Sequence, residues 1–423
     1  MTHRRTGRTV RRVPPPLTRS AELRVLPCSE MLEELPEEPA LLLWQTCRSV
    51  HLWGQPGPRL RLFAPGAAEL RLERLRAAGL DDEPRAALAL LAGLLENRRV
   101  VDVPRVVEAC GELARWAEGR GMLATALAFA QAAAVADAED ASLAVAVGRL
   151  ARMRAEYERA EGWFEHAVVL ARLSRDRRAY AEAYAGLGNL YVQKGGFPRA
   201  RLYHQRCLRA ARRYSLHDME GAALHNLFGI EIECGNGPKA EEYAEAALSA
   251  YSAVSPALLN LALDVAYNWT LCGRFGEALS VASAALPLVA SLPLRLLVLA
   301  DLARAAGGAD APYVFEQAWA EAWTLLGGKS VESSAPGVLL DLAYGAAHMG
   351  ELKRAERAAR KAWELAIERK QEKVAEQAGS LISALRADAP IAESRGAVST
   401  ASVRLAARFV EVLQRPRAAA PPG

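Results

Sequence analysis

The chain has 423 residues, with 53 Lys and Arg against 49 Asp and Glu, 51% hydrophobic residues and 6% aromatic residues. That balance excludes a wholly disordered or collagen-like chain, and a net charge of +4 over this length carries no case for nucleic-acid binding by itself. Because Ala and Leu supply the apolar share rather than β-branched and aromatic residues, the expected class is all-α.

Residues 1–20 read as a disordered basic arm. Arg4 and Arg5 open it, but Pro14, Pro15 and Pro16 stand where a signal peptide would need an apolar run, so no export signal is expected. Residues 21–100 read as a helical N-terminal region with helices near Glu38–Trp53, Ala67–Ala78 and Pro84–Leu95, the last capped by Asp81 or Asp82. A loop from Gly54 to Gly66, with a short strand at Arg59–Phe63, divides the region, and its last two helices have the look of a degenerate repeat.

From about residue 101 to 370 the chain repeats itself. Leu187, Gly188, Tyr191, Gly195, Phe197 and Ala200 match Val147, Gly148, Tyr157, Ala160, Phe164 and Ala167 one unit upstream. Leu227, Phe228, Ala240, Ala244 and Ala247 follow one unit downstream. Further units come at Leu113, Ala114, Leu123 and Ala126, at Val265, Ala266, Phe275 and Ala278, and at Leu342, Ala343, Leu352 and Ala355. A degenerate unit with Leu302, Ala306, Ala318 and Ala322 fits between the last two. About seven units are expected, each a helix pair whose apolar stripe is buried by its neighbours. Gly195 and Gly196, Gly235 and Gly237, Gly273 and Gly350 supply the turns that end each first helix.

This pattern resembles the tetratricopeptide repeat family, and its longer-period subclass in particular. The resemblance implies a right-handed α-solenoid of helix-turn-helix repeats with a concave groove lined by the first helix of each pair. Residues 371–414 then read as C-terminal helices that shield the exposed face of the last unit, and residues 415–423 as a disordered tail.

Motifs for chemistry are scarce. The string Leu326–Ser330 is short of a phosphate-binding loop because Trp323 stands at the first glycine position, and no HExxH, GxSxG or GxGxxG occurs. His204 and Cys207 share a helix face at zinc-ligand spacing, yet the repeat register places both in the core. Cys28, Cys47, Cys110, Cys207, Cys234 and Cys272 form no CxxC pair and read as free thiols of a reducing cytoplasm. No membrane span, metal or cofactor is expected, and no enzyme activity. Should there be one, residues 21–100 are where the repeat argument says nothing.

The family's groove positions, carried onto this chain, give Arg149, Arg152, Asn189, Gln193, His225, Asn226, Glu233, Asn260, Asp264 and Tyr267. They make a polar, amide-rich wall suited to the main chain of an extended peptide, with the two arginines available to a carboxylate. Asn189 and Asn226 resemble two positions of the family's chaperone-tail clamp, but Ala185, Asn260 and Asp264 stand where its basic residues belong. The expectation is a non-enzymatic adaptor or regulator that binds a segment of another protein. The arginines of the second and third units, partly answered by Glu156, Glu158, Glu161 and Glu165, read as a solvated face. The alternative is a surface for an acidic partner or a nucleic acid.

Overall fold

A computed structural model of the chain describes residues 28–54, 63–95, 102–252, 255–327, 334–387, 389 and 400–415. The basic arm, most of the Arg59–Phe63 strand, the end of the Leu326–Ser330 string and the C-terminal tail expected from the sequence lie outside them. The described residues form α-helices and no strand, in two compact units, Met1–Met219 and Glu220–Gly423.

The first unit opens with α1 (Cys28–Glu34), α2 (Glu37–Gly54), α3 (Ala67–Ala77) and α4 (Asp82–Ala92). Three helix pairs follow: α5 (Val103–Gly119) with α6 (Leu123–Ala136), α7 (Ala141–Met153) with α8 (Tyr157–Ser174), and α9 (Arg177–Gln193) with α10 (Phe197–Tyr214). Helix α1 has no counterpart in the sequence reading. It is too short to declare itself by periodicity, and a tertiary contact fixes it. The Glu34 carboxylate accepts hydrogen bonds from the Ala124 and Thr125 amides at 2.6 and 2.9 Å, satisfying donors at the start of α6 that have no partner within that helix. Asp81 occupies the N-cap position of α4 without a capping hydrogen bond, because its carboxylate pairs with Arg120 at 3.0 Å.

Helix α11 (His217–Glu233) starts at the boundary and pairs in sequence with α12 (Gly237–Ala250). The rest of the second unit comprises α13 (Pro256–Leu271) and α14 (Phe275–Ala285), α15 (Leu292–Gly308) and α16 (Pro312–Leu325), α17 (Ala335–His348) and α18 (Leu352–Glu368), then α19 (Glu372–Arg386) and α20 (Thr400–Gln414).

One turn closes every pair. Gly121, Ala155, Gly195, Gly235, Gly273, Asp310 and Gly350 all have φ between 53° and 76°. In each case the next residue's amide donates to the carbonyl five positions back, from Met122 to Ala117 at 2.9 Å through Glu351 to Ala346 at 2.9 Å. This is the Schellman closure, which needs a left-handed residue at that position. Five of the seven are glycine, and at the other two the closure holds a side chain against a cost of about 1–2 kcal/mol.

Small residues set the helix spacing. A Cβ on Gly148 would lie 2.8 Å from the Phe164 ring, and one on Gly188 would lie 2.4 Å from the His204 ring. In the second unit the approach is tighter in kind: a Cβ on Gly345 would lie 2.6 Å from the Ala303 carbonyl oxygen, which is backbone. His204 and Cys207 are both fully buried. Burial lowers the imidazole to about 4 and raises the thiol to about 12, so both are neutral packing groups at ordinary pH.

The C-terminal helices divide. Helix α19 packs on α18 and α17, whereas α20 lies on α14 and α12 instead of on the last repeat. Its stripe of Leu405, Ala406, Phe409 and Leu413 is buried, Arg408 reaches Glu245 at 2.6 Å, and the Ser402 hydroxyl donates to Glu277 at 3.3 Å. A sequence pattern states that a helix has an apolar face but not which neighbour covers it.

Candidate partner-binding faces

The residues that line a cleft in the first unit come mostly from α7 and α9, the first helices of their pairs. Packing of Ala144, Val147 and Leu150 on one side of α7 turns Arg149 and Arg152 outward from the core. They meet different fates. Arg149 is held by Glu118 on α5, with Nη2 to Oε2 at 2.7 Å, which raises its pKa and lowers that of Glu118. Arg152 forms no ion pair among the described residues, and its Nε is a buried donor without an acceptor. Burial, with the Arg149 charge second, lowers its pKa.

Arg152 lines a cleft of about 350 Å³ with Ser142, Phe164, Glu182, Gly186, Asn189 and Met219 among its walls. The glycine at 186 leaves room for the Phe164 ring, since a Cβ there would lie 2.2 Å from it. Burial raises the Glu182 carboxyl, and Arg178, at 3.0 Å, partly offsets that. Asn189 and Arg152 thus present an amide and a poorly neutralised cation to the same opening. Gln193 is exposed at the end of α9 and is not part of the cleft wall.

In the second unit the expected residues are largely engaged with one another. His225 Nε2 and Asp264 Oδ2 are 2.8 Å apart across α11 and α13. Asn226 donates one amide N–H to the Ala222 carbonyl of its own helix at 2.8 Å, which leaves its second N–H and its oxygen for a partner. Glu233 and Asn260 are exposed. Tyr267 is 44% exposed, and its hydroxyl is pushed up to about 12 by the Asp341 carboxylate first and burial second.

Beside Tyr267 stands a group that the sequence reading missed. Arg304 donates to Asp341 at 2.6 Å and lies over the Tyr344 ring at 4.3 Å. Asp301 is buried, and burial lifts its carboxyl to about 7 against the opposing hydrogen bond of Thr270. The signal was present in the letters: Asp264–Tyr267, Asp301–Arg304 and Asp341–Tyr344 spell DVAY, DLAR and DLAY, each around the small residue of its repeat. These residues occupy, in the sixth and seventh units, the repeat positions that the sequence reading carried only as far as the fifth. Among the described residues no group of three His, Cys, Asp or Glu is placed to hold a metal ion, and no helix is long and apolar enough to cross a membrane. Cys47, Cys110, Cys207, Cys234 and Cys272 are free thiols.

Helix pairs closed by a common turn and spaced by small residues define an all-α helical-repeat fold. Comparison with solved structures gives the same class. The chain is similar to a signal-transduction ATPase (STAND) protein with a tetratricopeptide repeat sensor from Pyrococcus horikoshii, at 13% identity, covering 84% of this chain and 68% of that one with a TM-score of 0.55. It also resembles a tetratricopeptide repeat protein from Parabacteroides merdae, at 13% identity over 64% of this chain and 98% of that one with a TM-score of 0.44. A Rap protein complexed with competence and sporulation factor matches at 11% identity over 83% and 100%, with a TM-score of 0.42. No protein-family model and no curated protein matches the chain. In fold the chain is an α-solenoid of tetratricopeptide-like repeats.

Proposed function

We propose that this protein is a non-enzymatic interaction scaffold, and that the α7–α9 cleft holds an extended segment of a partner protein by a carboxylate on Arg152. The observation that carries this reading is the half-buried Arg152 guanidinium, which lines an open cleft with Glu182 yet forms no ion pair among the described residues and leaves its Nε without an acceptor. A buried donor without an acceptor costs about 1–3 kcal/mol, and a bound carboxylate would recover that cost through a charge-assisted hydrogen bond. Asn189, one turn-face away on α9, offers a donor and an acceptor to the peptide main chain. Arg149 is already committed to Glu118 and has a supporting role only. In the second unit, His225, Asn226, Glu233, Asn260, Asp264 and Tyr267 form a separate polar face on which a segment gains amide and hydroxyl contacts.

Selection from a library of displayed disordered protein segments tests the idea, using the wild type and an Arg152→Ala, Asn189→Ala variant. Segments sharing an Asp, Glu or free C-terminus and enriched only on the wild type are the expected outcome. Enrichment of the same segments on the variant would place binding elsewhere, and none on either form would remove the peptide reading. Cytoplasmic location belongs to the same proposal.

A further inference from the structure

The charge of the chain is unevenly distributed. Residues 172–214 hold eleven Lys and Arg against two Asp and Glu, although the whole chain is only +4. On the second repeat Arg149 is answered by Glu118, Arg154 by Glu30 and Glu156, and Arg159 by Glu156, with Arg152 the exception. From Arg172 at the end of α8 through α10 several arginines are not answered, although Arg178 pairs with Glu182 and Asp218. Arg172, Arg177, Arg206, Arg209 and Arg213 form no ion pair among the described residues, and all five are exposed.

Tyrosines take the place of the carboxylates. Tyr180 and Tyr184 meet edge to face at 5.0 Å, Tyr203 stacks on Tyr184 at 6.2 Å, and Tyr191 stacks on Tyr203 at 5.6 Å. Arg206 lies over both Tyr184 and Tyr203 at 5.6 Å, and Arg199 over Tyr191 at 5.2 Å. Arg177 and Arg213 lie over Tyr214 at 5.2 and 5.7 Å, and Arg172 donates to the Tyr184 hydroxyl at 3.1 Å. An aromatic face orients a guanidinium without neutralising it, and the N–H edge remains open to an anion.

Along α10, Arg199, Arg206 and Arg213 recur every seven residues, so they form one row at intervals of about 10.5 Å. None of the residues lining the α7–α9 cleft lies on α10, so this face is separate from the peptide site.

We propose that the exposed face of α10, with Arg172 of α8, binds the phosphate backbone of a single-stranded nucleic acid without reading its sequence. Two features favour a phosphate chain over an acidic protein segment. A protein interface needs an apolar centre, and within residues 172–214 the exposed large apolar side chains are only Leu173 and Leu202. Binding to a phosphate backbone, by contrast, draws its affinity almost entirely from charge. A single row of cations fits one strand, whereas a duplex presents two phosphate rows. Tyr184 and Tyr191 are 5% and 4% exposed, which leaves those two rings unavailable to bases.

The test is fluorescence anisotropy of the full-length protein with a labelled 20-nucleotide poly-U RNA at 50 to 300 mM salt. An Arg199→Ala, Arg206→Ala, Arg213→Ala variant is expected to bind at least tenfold more weakly. Its slope of log affinity against log salt should be shallower by about 2, from a loss of about 0.7 per phosphate contact. The matching triple Arg→Lys variant, which keeps the charge, should stay within a few-fold of wild type and guards against a folding artefact. The proposal is overturned by no binding at 50 mM salt, by equal binding of the Ala variant, by a duplex of the same length binding more tightly, or by polyglutamate displacing the RNA at equal charge concentration.

Discussion

The helix faces that line the two units carry similar residue types and reach opposite electrostatic ends. In the first unit Arg152 is half-buried and forms no ion pair among the described residues, although Glu182 shares the wall of its cleft. In the second, Arg304 has Asp341 at 2.6 Å and Tyr344 beneath it, and Asp264 has His225. Arg149 and Arg304 share a repeat position and both have a counter-charge on a neighbouring helix, whereas Arg152, three residues after Arg149, has none within ion-pair distance. A similar contrast separates Arg149, Arg154 and Arg159, neutralised by Glu118, Glu30 and Glu156, from Arg177, Arg199, Arg206 and Arg213, which rest on tyrosines.

The largest effect is expected where helices touch through glycine. Gly345→Ala places a methyl against the Ala303 carbonyl, which cannot rotate away, so a loss of about 2–3 kcal/mol is expected by chemical denaturation. Gly188→Ala meets the His204 ring, which has room to turn only by disturbing its neighbours. About 1 kcal/mol is expected there, part of it offset by the better helix propensity of Ala. Equal costs at the two sites would show that the second unit is no more closely packed than the first.

Next comes the buried carboxyl. Asp301 has a folded pKa of about 7, above an unfolded value of about 4, so the folded state binds the proton more tightly. Its contribution to stability is complete below about pH 4 and is lost as pH rises to about 7. Asp301→Asn removes that titration. The variant should melt several degrees above wild type at pH 8, with a smaller difference at pH 5, and a difference independent of pH would mean that Asp301 is ionised throughout.

The smallest changes belong to the arginines of α7. Arg152→Ala should leave the melting temperature level or slightly higher while weakening a selected peptide at least tenfold, since the wild-type guanidinium lacks an acceptor. Arg149→Ala breaks a partly exposed pair with Glu118 worth less than about 1 kcal/mol and should change peptide affinity no more than a few-fold. Reversed effects in titration calorimetry would make Arg149 the binding residue and would end the comparison drawn between the units.

Much of this was legible in the letters. Local rules of helix periodicity, small residues at crossings and left-handed turn residues repeat at a fixed spacing. A single chain thus reports its own repeats, and the Schellman turns fall where Gly195, Gly235, Gly273 and Gly350 stand. His204 and Cys207 were placed in the core by register alone. Tertiary structure decided the rest, because charge pairing and helix docking depend on residues far apart in sequence. Glu118 claims Arg149 from 31 positions away, Asp341 meets Arg304 from 37, and Arg408 of α20 finds Glu245 across 163 residues. The sequence by itself determined the repeats and the list of side chains turned out of the core. Only the tertiary structure decided which of those side chains are already satisfied, since a charge is open or closed according to what the fold brings within about 4 Å of it.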